Sequence, residues 1–211
     1  MRPTRPLAAA AALALAACSP DLPTTAAPDG GAAPLAAVAA AAPLPVCLEF
    51  GPPPPVGAQW GAPFGHPPGT LMFVEAGVPV RIDRFFYPTT TVYNFARIDV
   101  SPVPIGAGQQ ILTDRSTLRF DFTGVPFPVA SVTWEWYDPG AGGTLENMAV
   151  NGGPIFIGDI TAPAAVSGHP YATGWGLAGT GRRGRSQITG PVTHMLLGGE
   201  RLWVDRVCAN P

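Results

Sequence analysis

Thr117-Leu118-Arg119-Phe120-Asp121-Phe122-Thr123 decides the fold class. Its apolar residues fall at 118, 120 and 122, with polar residues between them. A period of two belongs to an extended strand, whose side chains alternate between two faces. One face is buried and the other wet, which marks an antiparallel sheet. Ala96-Arg97-Ile98-Asp99-Val100 repeats the pattern. Val132, Trp134 and Trp136 share one face of another strand and read as core, with Thr133, Glu135 and Tyr137 on its opposite face. Further strands are predicted at 46–50, 71–75, 78–83, 92–95, 145–150, 155–157, 192–197 and 202–207.

Turn signals separate these runs: Asp138-Pro139-Gly140, Asn151-Gly152-Gly153 and Gly198-Gly199. The Asn-Gly pair predicts a type I′ hairpin turn, which needs positive φ at both central residues. With 26 Gly and 27 Pro, the two poorest helix formers, long helices are excluded. The expected fold is therefore all-β, an antiparallel jelly-roll β-sandwich spanning residues 44–211. All five Trp lie in that stretch, which is long enough to bury one core. Two segments read as long loops, 51–69 for its prolines and 163–185 for its glycines. The basic residues are all Arg and the net charge is −2, so no basic field exists to grip nucleic acid.

The N-terminus reads as an address. Arg2 and Arg5 precede an apolar run from Leu7 to Ala17, too short to span a bilayer as a helix and suited to a signal-peptide core. The run ends Leu15-Ala16-Ala17-Cys18, which resembles the bacterial lipobox. That resemblance implies cleavage after residue 17, a lipidated Cys18 and attachment to a lipid bilayer, since several acyl chains anchor a protein stably. Ser19, in place of Asp, resembles the outer-membrane class of Gram-negative lipoproteins. Residues 18–43 are then the lipidated Cys and a flexible Ala/Pro linker, without aromatic residues to offset ordering entropy. A linker of this length reaches roughly 75 Å as polyproline helix and about 25–30 Å as a coil.

With Cys18 assigned to lipid, Cys47 and Cys208 remain, one near each end of the body. An exported chain meets an oxidising compartment, where two cysteines pair most simply; two free buried thiols are the alternative. Pairing sets the first strand beside the last and closes a loop worth about 5 kcal/mol in the chain-entropy model.

A sandwich whose end strands meet resembles the carbohydrate-binding-module and galactose-binding-like jelly rolls. The likeness rests on Glu49 after the first strand and on Trp203-Val204-Asp205-Arg206-Val207 in the last. It implies a structural Ca²⁺ held between Glu49 and Asp205, because calcium takes carboxylate and carbonyl oxygens. The plainer alternative pairs Asp205 with Arg206 or Arg201. The likeness also implies a sugar-binding face, where aromatic rings stack on a pyranose and polar neighbours bond its hydroxyls. Trp60, Tyr171 and Trp175 are the expected ligand-binding aromatics, with Trp60 and Trp175 in the two long loops. Arg182, Arg183 and Arg185 read as solvated loop charge, with an anionic polymer as the sharper alternative.

Enzyme signals are thin. His66, His169 and His194 match no zinc spacing, and neither Gly-x-Ser-x-Gly nor a phosphate-cradling loop occurs. Glu135 with Asp138 or Glu146 could act as a carboxylate pair for hydrolysis, though any all-β chain of this size offers such pairs by chance. The expectation is a non-catalytic binding module for carbohydrate on a cell-envelope lipoprotein. The rivals are a module that docks an envelope protein and a glycan-directed hydrolase.

Overall fold

The computed structural model describes residues 42–106, 108–140 and 142–211. The predicted signal peptide, Cys18 and nearly all of the linker lie outside the described residues. In chain order the strands are β1 (Val46–Leu48), β2 (Gln59–Gly61), β3 (Leu71–Glu75), β4 (Val78–Phe86), β5 (Thr91–Val92), β6 (Phe95–Asp99), β7 (Gln110–Asp114) and β8 (Ser116–Asp121). They continue as β9 (Ser131–Asp138), β10 (Glu146–Val150), β11 (Phe156–Gly158), β12 (Ala165–Val166), β13 (His169–Ala178), β14 (Gly181–Thr189), β15 (His194–Gly199) and β16 (Leu202–Asn210).

They form an antiparallel sandwich. The first sheet runs β12-β13-β14-β9-β16-β7-β6-β2, with β1 also on β16; the second runs β11-β10-β15-β8-β4-β3, with β5 on β4. Paired strands cross between the sheets. The β6·β7 pair continues as β4·β8, and the β9·β16 pair continues as β10·β15. This is the jelly-roll habit predicted from the strand-rich pattern.

The core lies between the sheets. Leu118 and Phe120 are wholly buried and Phe122 nearly so, while Arg119 is exposed, as their alternation requires. Trp134 and Trp136 join that core at 0% exposure. Each indole removes on the order of 200 Å² from water, about 5 kcal/mol as an upper estimate. The Asn151-Gly152 turn has φ of 52° and 72°, the type I′ signature, and Gly153 N–H donates to Val150 O at 2.9 Å. Cys47 and Cys208 face each other across β1 and β16 and form a disulfide, with Cα atoms 4.0 Å apart.

Three expectations change. Gly198 and Gly199 close β15 instead of making a turn, because a β-carbon at Gly198 would strike the backbone of Ser116. The 51–69 segment contributes an edge strand, β2, paired with β6. Most consequentially, 163–185 is not a loop. It folds as β12, the whole of β13 and half of β14. Its alternation is present but written in small residues: Ala172, Gly174, Gly176 and Ala178 on one face, Tyr171, Thr173, Trp175 and Leu177 on the other. Glycines in the outward positions conceal the period.

Candidate functional site

That hairpin helps build a concave surface on the first sheet. Register places Gly174, Arg185, Glu135 and Asp205 in one row across β13, β14, β9 and β16. All four lie on the outer face of the first sheet, since Trp134 and Trp136 on either side of Glu135 face the core. The adjacent row is Gly176, Arg183, Tyr137, Trp203 and Leu112. Its three apolar members are buried under Ile105 and Val103 of the 100–106 segment. Arg183 Nη1 donates to Pro104 O at 3.0 Å and fastens that segment over the sheet.

The result is an open trough. Its larger part, about 650 Å³, is lined by Pro104–Gly106, Glu135, residues 174–177, Arg183 and Arg185. A second hollow of about 460 Å³ shares Gly174 and Arg185 and continues past Ala172, Thr133 and Gln187. The trough exists because Gly174 and Gly176 supply no side chain to fill it.

Asp205 sits behind the trough. Its carboxylate is fully buried, and Gly106 packs so close that a β-carbon there would collide with Oδ2. It accepts the Arg206 N–H at 2.8 Å and Gln110 Nε2 at 3.4 Å. Burial above all, reinforced by the charge of Glu135, pushes the Asp205 carboxyl up to about 6. Glu135, half-buried, is the carboxylate that reaches the groove. Asp138 and Glu146, its predicted partners, point elsewhere. Asp138 has core parity on β9, and Glu146 is buried in the second sheet, so neither faces Glu135 across a cleft.

The aromatic residues predicted to bind are dispersed. Tyr171 is 7% exposed, packs against Trp134, and donates its hydroxyl proton to Ile160 O at 2.7 Å. It is a core residue, because the strand alternation turns it inward. Trp60, on the edge strand β2, is half-buried against Phe73. Trp175 is 51% exposed. Its cross-strand partner is Gly184, whose missing β-carbon points at Trp136, so the indole has core parity. It projects past the end of the core and covers the Arg182 guanidinium at 5.5 Å. Trp175 is also among the residues that line the trough, while its indole stacks on the Arg182 guanidinium.

Glu49 and Asp205, the predicted Ca²⁺ pair, take different partners. A β-bulge between Asp205 and Cys208 inserts Arg206, at φ 44°, beside Asp205. Arg206 Nε pairs with the exposed Glu49 carboxylate at 3.3 Å. Arg206 thus pairs with Glu49, while Asp205 bonds Gln110 and the Arg206 backbone N–H. Among the described residues, no three His, Cys, Asp or Glu cluster as metal ligands.

The three arginines, read together as solvated, separate. Arg183 and Arg185 are exposed, whereas the Arg182 side chain is 6% exposed and lies between Asp138 Oδ2 at 2.7 Å and Asp159 Oδ2 at 2.9 Å. Beside this pair Glu146 is fully buried, accepts the Ile160 N–H and shares a hydrogen bond with the Thr144 hydroxyl oxygen, both at 3.0 Å. Burial, then the nearby Asp138 charge, pushes the Glu146 carboxyl up to about 8. A carboxyl raised in the folded state destabilises once it must ionise. Its stabilising protonation is complete below 4.5 and is lost as pH rises through about 8. Glu146→Gln, which keeps an acceptor for Ile160, is expected to flatten that slope and to stabilise the protein above the window by on the order of 2–4 kcal/mol. Thermal melts across the window check this, and profiles for variant and parent that stay parallel contradict it.

Comparison with family models, curated proteins and solved structures finds no match to this chain.

Proposed function

We propose that this chain is a cell-envelope lipoprotein, anchored in the outer membrane through Cys18, whose sandwich binds carbohydrate without catalysis. The trough on the outer face of the first sheet carries the reading. It is long, open and floored by Gly174 and Gly176, so a sugar ring can approach backbone directly. Arg183, Arg185 and Glu135 stand along it as planar, multiply bonding groups matched to adjacent hydroxyls. The leader sequence supports the anchor: positive start, short apolar run and Leu15-Ala16-Ala17-Cys18. The binding role shifts from the predicted loop aromatics to these polar residues.

The test is a glycan array followed by calorimetry on the glycan retained. Arg185→Ala and Glu135→Gln are each expected to weaken binding roughly tenfold or more, the value of a hydrogen bond to a charged group. Trp60→Ala, remote from the trough, is expected to leave affinity unchanged. An array without a hit, or affinity indifferent to both trough variants, defeats the proposal.

A further inference from the structure

The first sheet ends at the two-residue β12, which leaves most of the β13 edge bare. The short β12 covers only His169 and Pro170 by register. Tyr171 N–H, donating to Ala164 O at 2.9 Å, shows which residues direct their amides outward. By alternation Thr173, Trp175 and Leu177 do the same, each with an N–H and a C=O facing off the sheet. Trp175 and Leu177 are 51% and 79% exposed.

Natural sheets protect such edges with charge, proline, bulges or brevity. Residues 171–178 carry no charge and no proline, and their register with β14 is unbroken. A strand of matching chemistry belongs there, and this strand matches itself. Antiparallel pairing about Trp175 sets Trp175 against its own copy and Thr173 against Leu177 of the mate. All three outward residues then bond in both directions, giving about six hydrogen bonds. No like charges meet along the strand. On the other face Gly174 meets Gly176 of the mate, so no side chain obstructs the approach.

We propose that β13 pairs antiparallel with β13 of a second copy of this chain, making a twofold dimer with one continuous sheet. Such an isologous contact closes at two copies and leaves no further β13 edge exposed. The glycine floors of the two troughs then adjoin across the axis, so the dimer carries one groove twice as long. The pairing stands whether or not the trough binds glycan.

Cross-linking and sedimentation test it on the full mature chain. Hydrogen-bonded antiparallel partners have Cα atoms about 5.5 Å apart, within disulfide reach. Trp175→Cys is therefore expected to give a covalent dimer under mild oxidation, and Val74→Cys, 54% exposed on β3, is expected to give none. Thr173→Lys with Leu177→Lys sets lysines opposite each other and is expected to leave a monomer with unchanged circular dichroism. Thr173→Glu with Leu177→Lys sets opposite charges across the axis and is expected to restore the dimer. A parent chain that sediments as a monomer at every concentration, a dimer indifferent to the lysine pair, or occupation of the edge by another protein's strand overturns the proposal.

Discussion

Replacing both cysteines, Cys47→Ala with Cys208→Ala, is expected to cost about 4 kcal/mol and to lower the melting temperature by about 10 °C. The disulfide closes a loop with a sequence separation of 161, nearly the whole described chain. Cutting it releases that closure in the unfolded ensemble, where long loops matter most. In the folded state β1 is three residues long and pairs with β16 alone. Other contacts keep the variant folded. Leu48 and Phe50 are fully buried, and the Glu75 carboxylate accepts the N–H groups of Glu49 and Phe50 at 3.0 and 3.1 Å. The loss therefore falls on stability while the fold is retained. Calorimetry on variant and parent, each with and without reductant, measures it. Reductant is expected to bring the parent down to the variant and to leave the variant unmoved. A loss below about 1 kcal/mol means that the bridge adds little beyond what β1 already secures.

The parts of this fold legible in the sequence are those where one face is wet. At 118–123 Arg119 and Thr123 face solvent, Asp121 is half-buried, and the alternation with the buried 118, 120 and 122 is plain. Strand β7 was not foreseen because both its faces are covered. Ile111 enters the core, and Leu112 lies beneath Val103 and Ile105, so Gln110-Ile111-Leu112-Thr113-Asp114 shows no period of two. The β13–β14 hairpin was hidden for the opposite reason, since its outward positions on β13 are glycine and alanine. The site was obscured with it. Glu135 and Arg185 are distant in sequence and adjacent only through the β9–β14 register. The two cysteines were readable because exported cysteines have few roles. The Arg206–Glu49 pair was not legible because it depends on a bulge between Asp205 and Cys208.

Arg182→Met is the second large effect, an expected loss of about 3–5 kcal/mol. The methionine keeps length and apolar bulk, so what disappears is charge. Asp138 is 0% exposed, and its Oδ2 would lose the guanidinium at 2.7 Å. A buried carboxylate without its counterion carries the full desolvation cost, whereas the intact pair is close to balanced. The damage extends to the β9–β10 connection. Asp138 also accepts the Gly140 N–H and the Thr144 hydroxyl, both at 2.7 Å, and Thr144 bonds Glu146 in turn. Asp159 suffers less, because its side chain is 30% exposed and water can take over. At present burial raises the Asp159 carboxyl, but its bonds from Arg182 and Thr161 outweigh that and hold it below the usual range. The double variant Arg182→Met with Asp138→Asn is therefore expected to regain much of the loss, since a neutral amide needs no counterion and still accepts from Gly140. A double-mutant cycle by urea unfolding measures the coupling, expected at 2 kcal/mol or more in favour of the pair. Losses that simply add would mean that Arg182 stabilises through packing beneath Trp175, where its guanidinium lies 5.5 Å from the ring, and that the buried ion pair contributes nothing of its own.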